Sequence, residues 1–203
     1  MEPIEISTHG LPISQQLDAW QGWFDTVFDL HVLEPELGFA AKSVHWSFGS
    51  MSLSRVAAPA LRAVRSKALL RRNPIDHWVI TVGGRKTFGI SAGGIAFEVP
   101  AGIPFVASLG QELVSQRAQD ERLQLYLPRD SFSDLACVLD AVQGTPLNTP
   151  LGRLLGDYIR LLERSLRDLT TADAPKLMEA AKAMILACLS PSADPQAARQ
   201  ILL

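Results

Sequence analysis

Hydrophobic and polar positions alternate along the first two thirds of the chain and then change period. Over residues 39–48, Val44, Trp46 and Phe48 share a face opposite Ser43, His45 and Ser47. Gly49-Ser50 follows, and then Met51, Leu53 and Arg55 alternate with Ser52, Ser54 and Val56, so a β-hairpin is expected. After Pro59, Leu61–Arg65 predicts a further strand, and residues 66–72 a short helical turn ahead of Asn73-Pro74. Residues 75–82 place Trp78, Ile80 and Val82 on one face and Ile75, His77, Val79 and Thr81 on the other. Apolar residues on both faces predict a central strand or the wall of a barrel. Gly83-Gly84 and Gly93-Gly94 turn the chain into strands over 86–90 and Ile95–Val99, and further strands are expected over 105–109, 114–118 and 122–127. Eight or more short strands with Gly and Pro between them are the pattern of a sandwich or closed barrel.

Helical spacing brackets this region. Residues 1–13 have no clear period, and Ser14 can cap a helix carrying Leu17, Trp20, Phe24, Val27 and Phe28 on one stripe, placed to plug or flank the sheet. The change of period falls within residues 121–140. Leu123, Leu125 and Leu127 point one way and Gln124 and Tyr126 the other; Pro128 then ends the ladder, and Phe132, Leu135, Ala136, Leu139 and Val142 take up three-four spacing. Ser131 and Asp134 form a variant capping box there. Thr149 caps and Pro150 opens the next helix, whose broad stripe is Leu151, Leu154, Leu155, Tyr158, Ile159, Leu162, Leu166 and Leu169. A last helix starts at Thr171 or Asp173 and carries Leu177, Ala181, Met184, Ile185, Cys188 and Leu189. The short connection predicts an antiparallel pair. Pro191 and Pro195 mark a linker, and 196–203 have helical composition.

These elements predict an α+β chain: a lead and helix over 1–38, a cupin-like or jelly-roll β-barrel over 39–128, an antiparallel helical part over 129–190, and a linker over 191–203. With 203 residues, 47% hydrophobic and 20% charged, the composition is that of a globular protein with a real core. No apolar run is long enough to span a bilayer, so no membrane partner is expected. The start Met1-Glu-Pro-Ile-Glu5 lacks the basic and apolar regions of a signal peptide, so a cytoplasmic location is expected. Cys137 and Cys188 sit on the apolar faces of predicted helices and read as small core residues. The net charge of −2 argues against binding nucleic acid through bulk electrostatics. Between Arg55 and Lys86, however, eight basic residues face one acid, Asp76, which makes either a solvated face or a site for an anionic ligand or another domain.

Catalytic signatures are not found. A cupin-type metal site needs two or three His and a carboxylate at short spacing, whereas His9, His31, His45 and His77 are isolated. There is no nucleophile elbow and no phosphate-binding loop; Gly83-Gly84 and Gly93-Gly94 read as hairpin turns. No catalytic residue, metal ligand or cofactor is assigned, and the chain is read as a non-enzyme.

The arrangement resembles the N-terminal effector-binding and dimerisation half of AraC/XylS-type transcription regulators, over residues 15–190. Trp20 and Phe24, Phe39, the 62–65 segment, 76–82 ahead of Gly83-Gly84, and 94–99 carry the resemblance. Its most telling part is Leu125-Tyr-Leu-Pro-Arg129 running into helices that begin near Ser131, Pro150 and Asp173. The resemblance implies a ligand-sensing, homodimerising domain of a bacterial regulator with a small-molecule effector. Family members continue into two helix-turn-helix units that contact DNA, a part this chain lacks, and its apolar end Ile201-Leu-Leu203 implies that the native protein continues.

For an effector, Trp46 and Trp78 on wall strands and Arg65 as a carboxylate partner are the candidate contacts. Each has a second reading: packed core for the tryptophans, an ion pair or surface position for the arginine. For the dimer interface the candidates are Leu151, Leu155, Leu162, Leu166 and Leu169, because three helices on one small barrel leave an apolar stripe exposed. A stand-alone cupin-like metal enzyme and a ligand-free structural dimeriser are the other readings.

Overall fold

A change of sheet halfway along the strand series organises the architecture. The computed structural model describes residues 1–24, 27–92 and 94–190; the expected linker over 191–203 lies outside them. In chain order the strands are β1 (Ile4–Ser7), β2 (Asp29–Val32), β3 (Lys42–Phe48), β4 (Met51–Ala58), β5 (Leu61–Arg65), β6 (His77–Gly83), β7 (Phe88–Ala92), β8 (Ile95–Val99), β9 (Pro104–Ser108), β10 (Leu113–Arg117) and β11 (Asp120–Pro128). Helix α1 (Ile13–Phe24) precedes β2, and α2 (Lys67–Arg72) precedes β6. Helices α3 (Ala136–Ala141), α4 (Pro150–Ser165) and α5 (Ala174–Leu189) follow the strands.

The strands form two antiparallel sheets, of order β1-β3-β4-β11-β6-β9 and β2-β5-β10-β7-β8. The expected barrel is therefore not closed: among the described residues there are two separate ladders, and Pro59-Ala60 carries the chain from β4 in one to β5 in the other.

The six-stranded sheet has two unlike faces. Val44, Trp46, Phe48, Leu53, Trp78, Ile80, Val82, Leu125 and Leu127 form one face and are buried beneath Phe132, Leu135, Leu139, Leu155, Ile159, Leu162, Leu166, Ala181 and Ile185. Each large apolar side chain removed from water contributes about 1.5–3 kcal/mol, so this layer is the principal core. The other face looks toward the five-stranded sheet. Two smaller clusters join the sheets there, one of Trp20, Leu30, Phe39, Val56, Ala58, Leu61 and Ala63, the other of Ile90, Val99, Phe105, Ala107 and Leu113. Helix α1 enters the first cluster through Trp20, whose ring centroid lies 5.7 Å from that of Phe39.

Strands β1 and β2 were not expected. Both are edge strands, and both are largely exposed, with Leu30 the one buried residue between them. A strand that buries little has no apolar alternation to display. The helix caps follow the residue chemistry: the Thr149 hydroxyl accepts from the Gly152 amide at 3.0 Å, and Ser66 caps α2. Thr170 and Asp173 form a reciprocal capping box ahead of α5. The box expected at Ser131 and Asp134 is not formed. The chain makes two 3-10 turns, Arg129–Ser131 and Ser133–Leu135, before α3 begins.

Arg129 holds this junction. Its Nε donates to Asp76 at 3.1 Å, and Nη1 and Nη2 donate to Asp140 at 3.0 and 3.1 Å. The guanidinium carbon lies 3.9 Å from the centroid of the Trp78 ring, and Trp78 Nε1 donates to Asp140 at 2.8 Å. The end of β11, the approach to β6 and α3 are thus joined through one planar cation. Partial burial pushes the Asp140 carboxyl up, but the Arg129 and Trp78 hydrogen bonds outweigh it and leave the group below its ordinary value. The stabilisation from Asp140 is then complete above the ordinary carboxylate range and lost as pH falls through the depressed value. Asp140→Asn should lower stability by about 1 kcal/mol at neutral pH. In urea titrations the gap between variant and wild type should narrow in acid; a gap independent of pH would overturn this assignment.

Candidate functional site

Between the sheets lies a cavity of about 310 Å³. Its floor is the polar face of the six-stranded sheet, and strand register explains which side chains meet there. His45 stands opposite Ser54 on β4, and Ser54 opposite Gln124 on β11, so the three form one cross-strand row. Ser43, Val56 and Arg122 form the next row, and Tyr126 lies on the other side of Gln124. The facing wall is Leu30 from β2, Leu61 and Ala63 from β5 and Arg117 from β10, and Trp20, Trp23 and Phe24 of α1 close one side.

The row is internally bonded. His45 Nδ1 lies 2.8 Å from Ser54 Oγ, and its Nε2 lies 3.3 Å from Ser47 Oγ. Burial lowers the pKa of His45, and burial also lowers that of His77, with Asp76 opposing it in part. Both rings are therefore neutral at pH 7. His45 and His77 both line the cavity, but β4 and β11 separate their strands. Among the described residues no three His, Cys, Asp or Glu side chains stand close enough to hold a metal ion.

The distinctive chemistry is cationic. Arg117 is 8% exposed, and among the described residues the one hydrogen bond of its side chain is from Nε to the Ser115 hydroxyl. Arg122 Nε is buried and has no hydrogen-bond partner. Burial pushes the Arg122 pKa down to about 10, opposed by Tyr126 and Asp120; burial and the charge of Arg122 together lower that of Arg117. Burial likewise raises the Tyr126 hydroxyl, partly offset by the two arginines. Among the described residues no Asp or Glu lines the cavity. One buried and one half-buried guanidinium of like charge face it, with no carboxylate between them among the described residues, a costly arrangement unless an anion completes it.

The residues expected to bind an effector lie elsewhere. Trp46 and Trp78, each 0% exposed, are on the opposite face of the sheet, under the helices. Their alternation was legible, but which face the helices cover was not. Arg65 is also 0% exposed and does not line the cavity, although it shares its face of β5 with Leu61 and Ala63, which do. Its guanidinium donates to the carbonyls of Leu109 at 2.5 Å, Val27 at 2.9 Å, Asn73 at 2.8 Å and Ile75 at 3.4 Å, so it ties loops together and pairs with no carboxylate. None of the three candidates lines the cavity. Of the residues missed, Arg122, Gln124 and Tyr126 had one signal in the sequence, polar side chains alternating with Leu123, Leu125 and Leu127; Arg117, on the parity of Leu113, had none.

On α4 the expected interface residues divide. Leu155, Leu162 and Leu166 are buried within the chain, Leu169 is half-buried and Leu151 is 46% exposed. The exposed neighbours on the same side as Leu151 are Leu154 and Leu161, with Tyr158 half-buried between them. The stripe read from sequence is wider than the face that packs on the sheet.

The structure matches a crystal structure of the AraC-like transcriptional activator CuxR with a TM-score of 0.84 and 24% identity, over 99% of this chain and 78% of that one. The chain shares the fold of that protein. Its match spans both sheets and the helical layer, as the resemblance in the sequence implied. The Clostridium difficile EutQ protein (TM-score 0.34, 10% identity, 45% of this chain and 71% of that one) and a Cupin 2 conserved barrel domain protein from Salinispora arenicola CNS-205 (0.35, 11%, 54% and 89%) align far more loosely. No protein-family profile matches the chain, and no curated protein does. No helix among the described residues is long and apolar enough to cross a membrane.

The four carbonyls held by Arg65 set its test. Arg65→Gln should destabilise the fold by about 2–4 kcal/mol in urea denaturation, because buried acceptors lose charged donors. A variant as stable as wild type would remove Arg65 from this structural role.

Proposed function

We propose that the chain is the ligand-sensing and dimerising part of a bacterial AraC-type transcription regulator. The fold shared with an AraC-like activator over 99% of the chain supports this reading, and the cavity between the sheets supplies a place for an effector. Residues 39–128 are the sensor, 129–190 the dimerising part, and a separate DNA-binding part reads the promoter. Arg117, Arg122, Gln124 and Tyr126 replace Trp46, Arg65 and Trp78 as effector contacts. The second copy sits on the α4 stripe of Leu151, Leu154, Tyr158 and Leu161. Exposed leucines at three-four spacing leave apolar area for a partner to cover. An effector acts by binding one arrangement of α1, the sheets and the helices more tightly than another, since equal affinity shifts no population.

Light scattering at micromolar concentration should give a dimer for the wild type and a monomer for Leu154→Glu/Leu161→Glu, with unchanged far-ultraviolet circular dichroism. A monomeric wild type would remove the dimer from the proposal. An effector identified by thermal-shift screening should alter tryptophan emission through Trp20 and Trp23. That change should survive Trp46→Phe and disappear in Trp20→Phe/Trp23→Phe; the reverse pattern would place the ligand outside the cavity.

A further inference from the structure

We infer that the cavity takes a small organic anion, a carboxylate or phosphate monoester on an apolar ring-bearing body, with its charged head between Arg117 and Arg122. The inference rests on the sensor reading and names the chemistry of its ligand. Three observations carry it.

The first is cationic charge with no carboxylate paired to it by hydrogen bond or ion pair among the described residues. Arg117 reaches the cavity from the five-stranded sheet and Arg122 from the six-stranded sheet, and among the described residues no acidic side chain lines the space. Elsewhere in the fold, arginines withdrawn from water are supplied with acceptors. Arg65 has four carbonyls, Arg129 has two carboxylates, and Arg55 meets Glu163 at 3.1 Å. The nearby Asp120 is engaged with the backbone amides of Arg85, Lys86 and Glu121.

The second is the orphaned donor. Arg122 Nε is buried with no partner, and Arg117 has only a neutral hydroxyl. A planar anion with two or three oxygens supplies the geometry such donors lack. Tyr126 and Gln124, beside Arg122 on β11, add neutral polar groups to the same floor. The third is the shape of the rest. Trp20, Trp23, Phe24, Leu30 and Leu61 make the remaining wall apolar and aromatic. A volume of about 310 Å³ is roughly twice that of a cavity known to hold benzene, enough for one ring and a short acidic arm.

The test uses the whole chain with defined probes: 3-phenylpropionate, phenyl phosphate and the uncharged 3-phenylpropanamide. Calorimetry and thermal shift should show binding of at least one of the two anions and weaker or no binding of the amide. Arg122→Met and Arg117→Met should each weaken the anion by about thirtyfold or more and leave the amide unchanged. The apo variants supply a check that needs no ligand. Removing a desolvated, unpaired cation should leave the melting temperature unchanged or raised, whereas Arg65→Gln lowers it. A fall in both arginine variants as large as that of Arg65→Gln would make these residues structural and overturn the inference. Equal binding of amide and anion would overturn it while leaving a sensor cavity in place. Binding of no probe would also overturn it, and the tryptophan-emission screen with neutral compounds then decides the sensor reading separately.

Discussion

The six-stranded sheet can satisfy its two faces only in different ways, and the rest of the molecule follows from that. Valine, tryptophan, phenylalanine and leucine occupy one parity of β3, β4, β6 and β11, and a sheet face so apolar must be covered. Helices α3, α4 and α5 cover it. The other parity of β3, β4 and β11 carries serine, histidine, glutamine, tyrosine and arginine, which cannot be packed dry without partners. That face instead looks across a cavity toward the second sheet. The core and the candidate site are thus the two sides of the same strands.

Arginine is used in three physical settings within one small fold. Arg65 lies wholly in protein and is satisfied by carbonyl oxygens, so it ties loops. Arg129 is satisfied by two carboxylates and the face of an indole, so it locks the strand-to-helix junction. Arg117 and Arg122 face a cavity that no carboxylate lines among the described residues. The first two settings exchange hydration for protein contacts of comparable quality; the last does not, and a desolvated cation kept at that cost is the mark of a functional position.

Helix α4 repeats the two-sided logic of the sheet. Gly152 and Gly156 let it approach closely: a Cβ at Gly152 would lie 2.1 Å from the Leu147 carbonyl oxygen, and one at Gly156 would lie 2.9 Å from Pro104. Close approach seats Leu155, Ile159, Leu162 and Leu166 in the core and rotates Leu151, Leu154 and Leu161 out of it. An apolar stripe wider than the buried face is therefore divided by how closely two glycines let the helix approach Leu147 and Pro104.

Much of the fold was legible. Periodicity and punctuation located most strands within one to two residues, the cap at Thr149, and the strand-to-helix change at Pro128. Edge strands β1 and β2 escaped because they bury too little to leave a pattern. The candidate site was legible only as parity: Trp46 and Trp78 were correctly set opposite His45 and His77, and Gln124 and Tyr126 opposite the leucines of β11. Parity is a local property, imposed by the two-residue repeat of the strand, and the sequence by itself determined it. Only the tertiary structure decided which parity the helices cover and which faces the cavity, because that depends on where residues dozens of positions away pack. The same long-range packing surrounded Arg65 with loop carbonyls and brought Arg117 and Arg122 into one cavity from two different sheets.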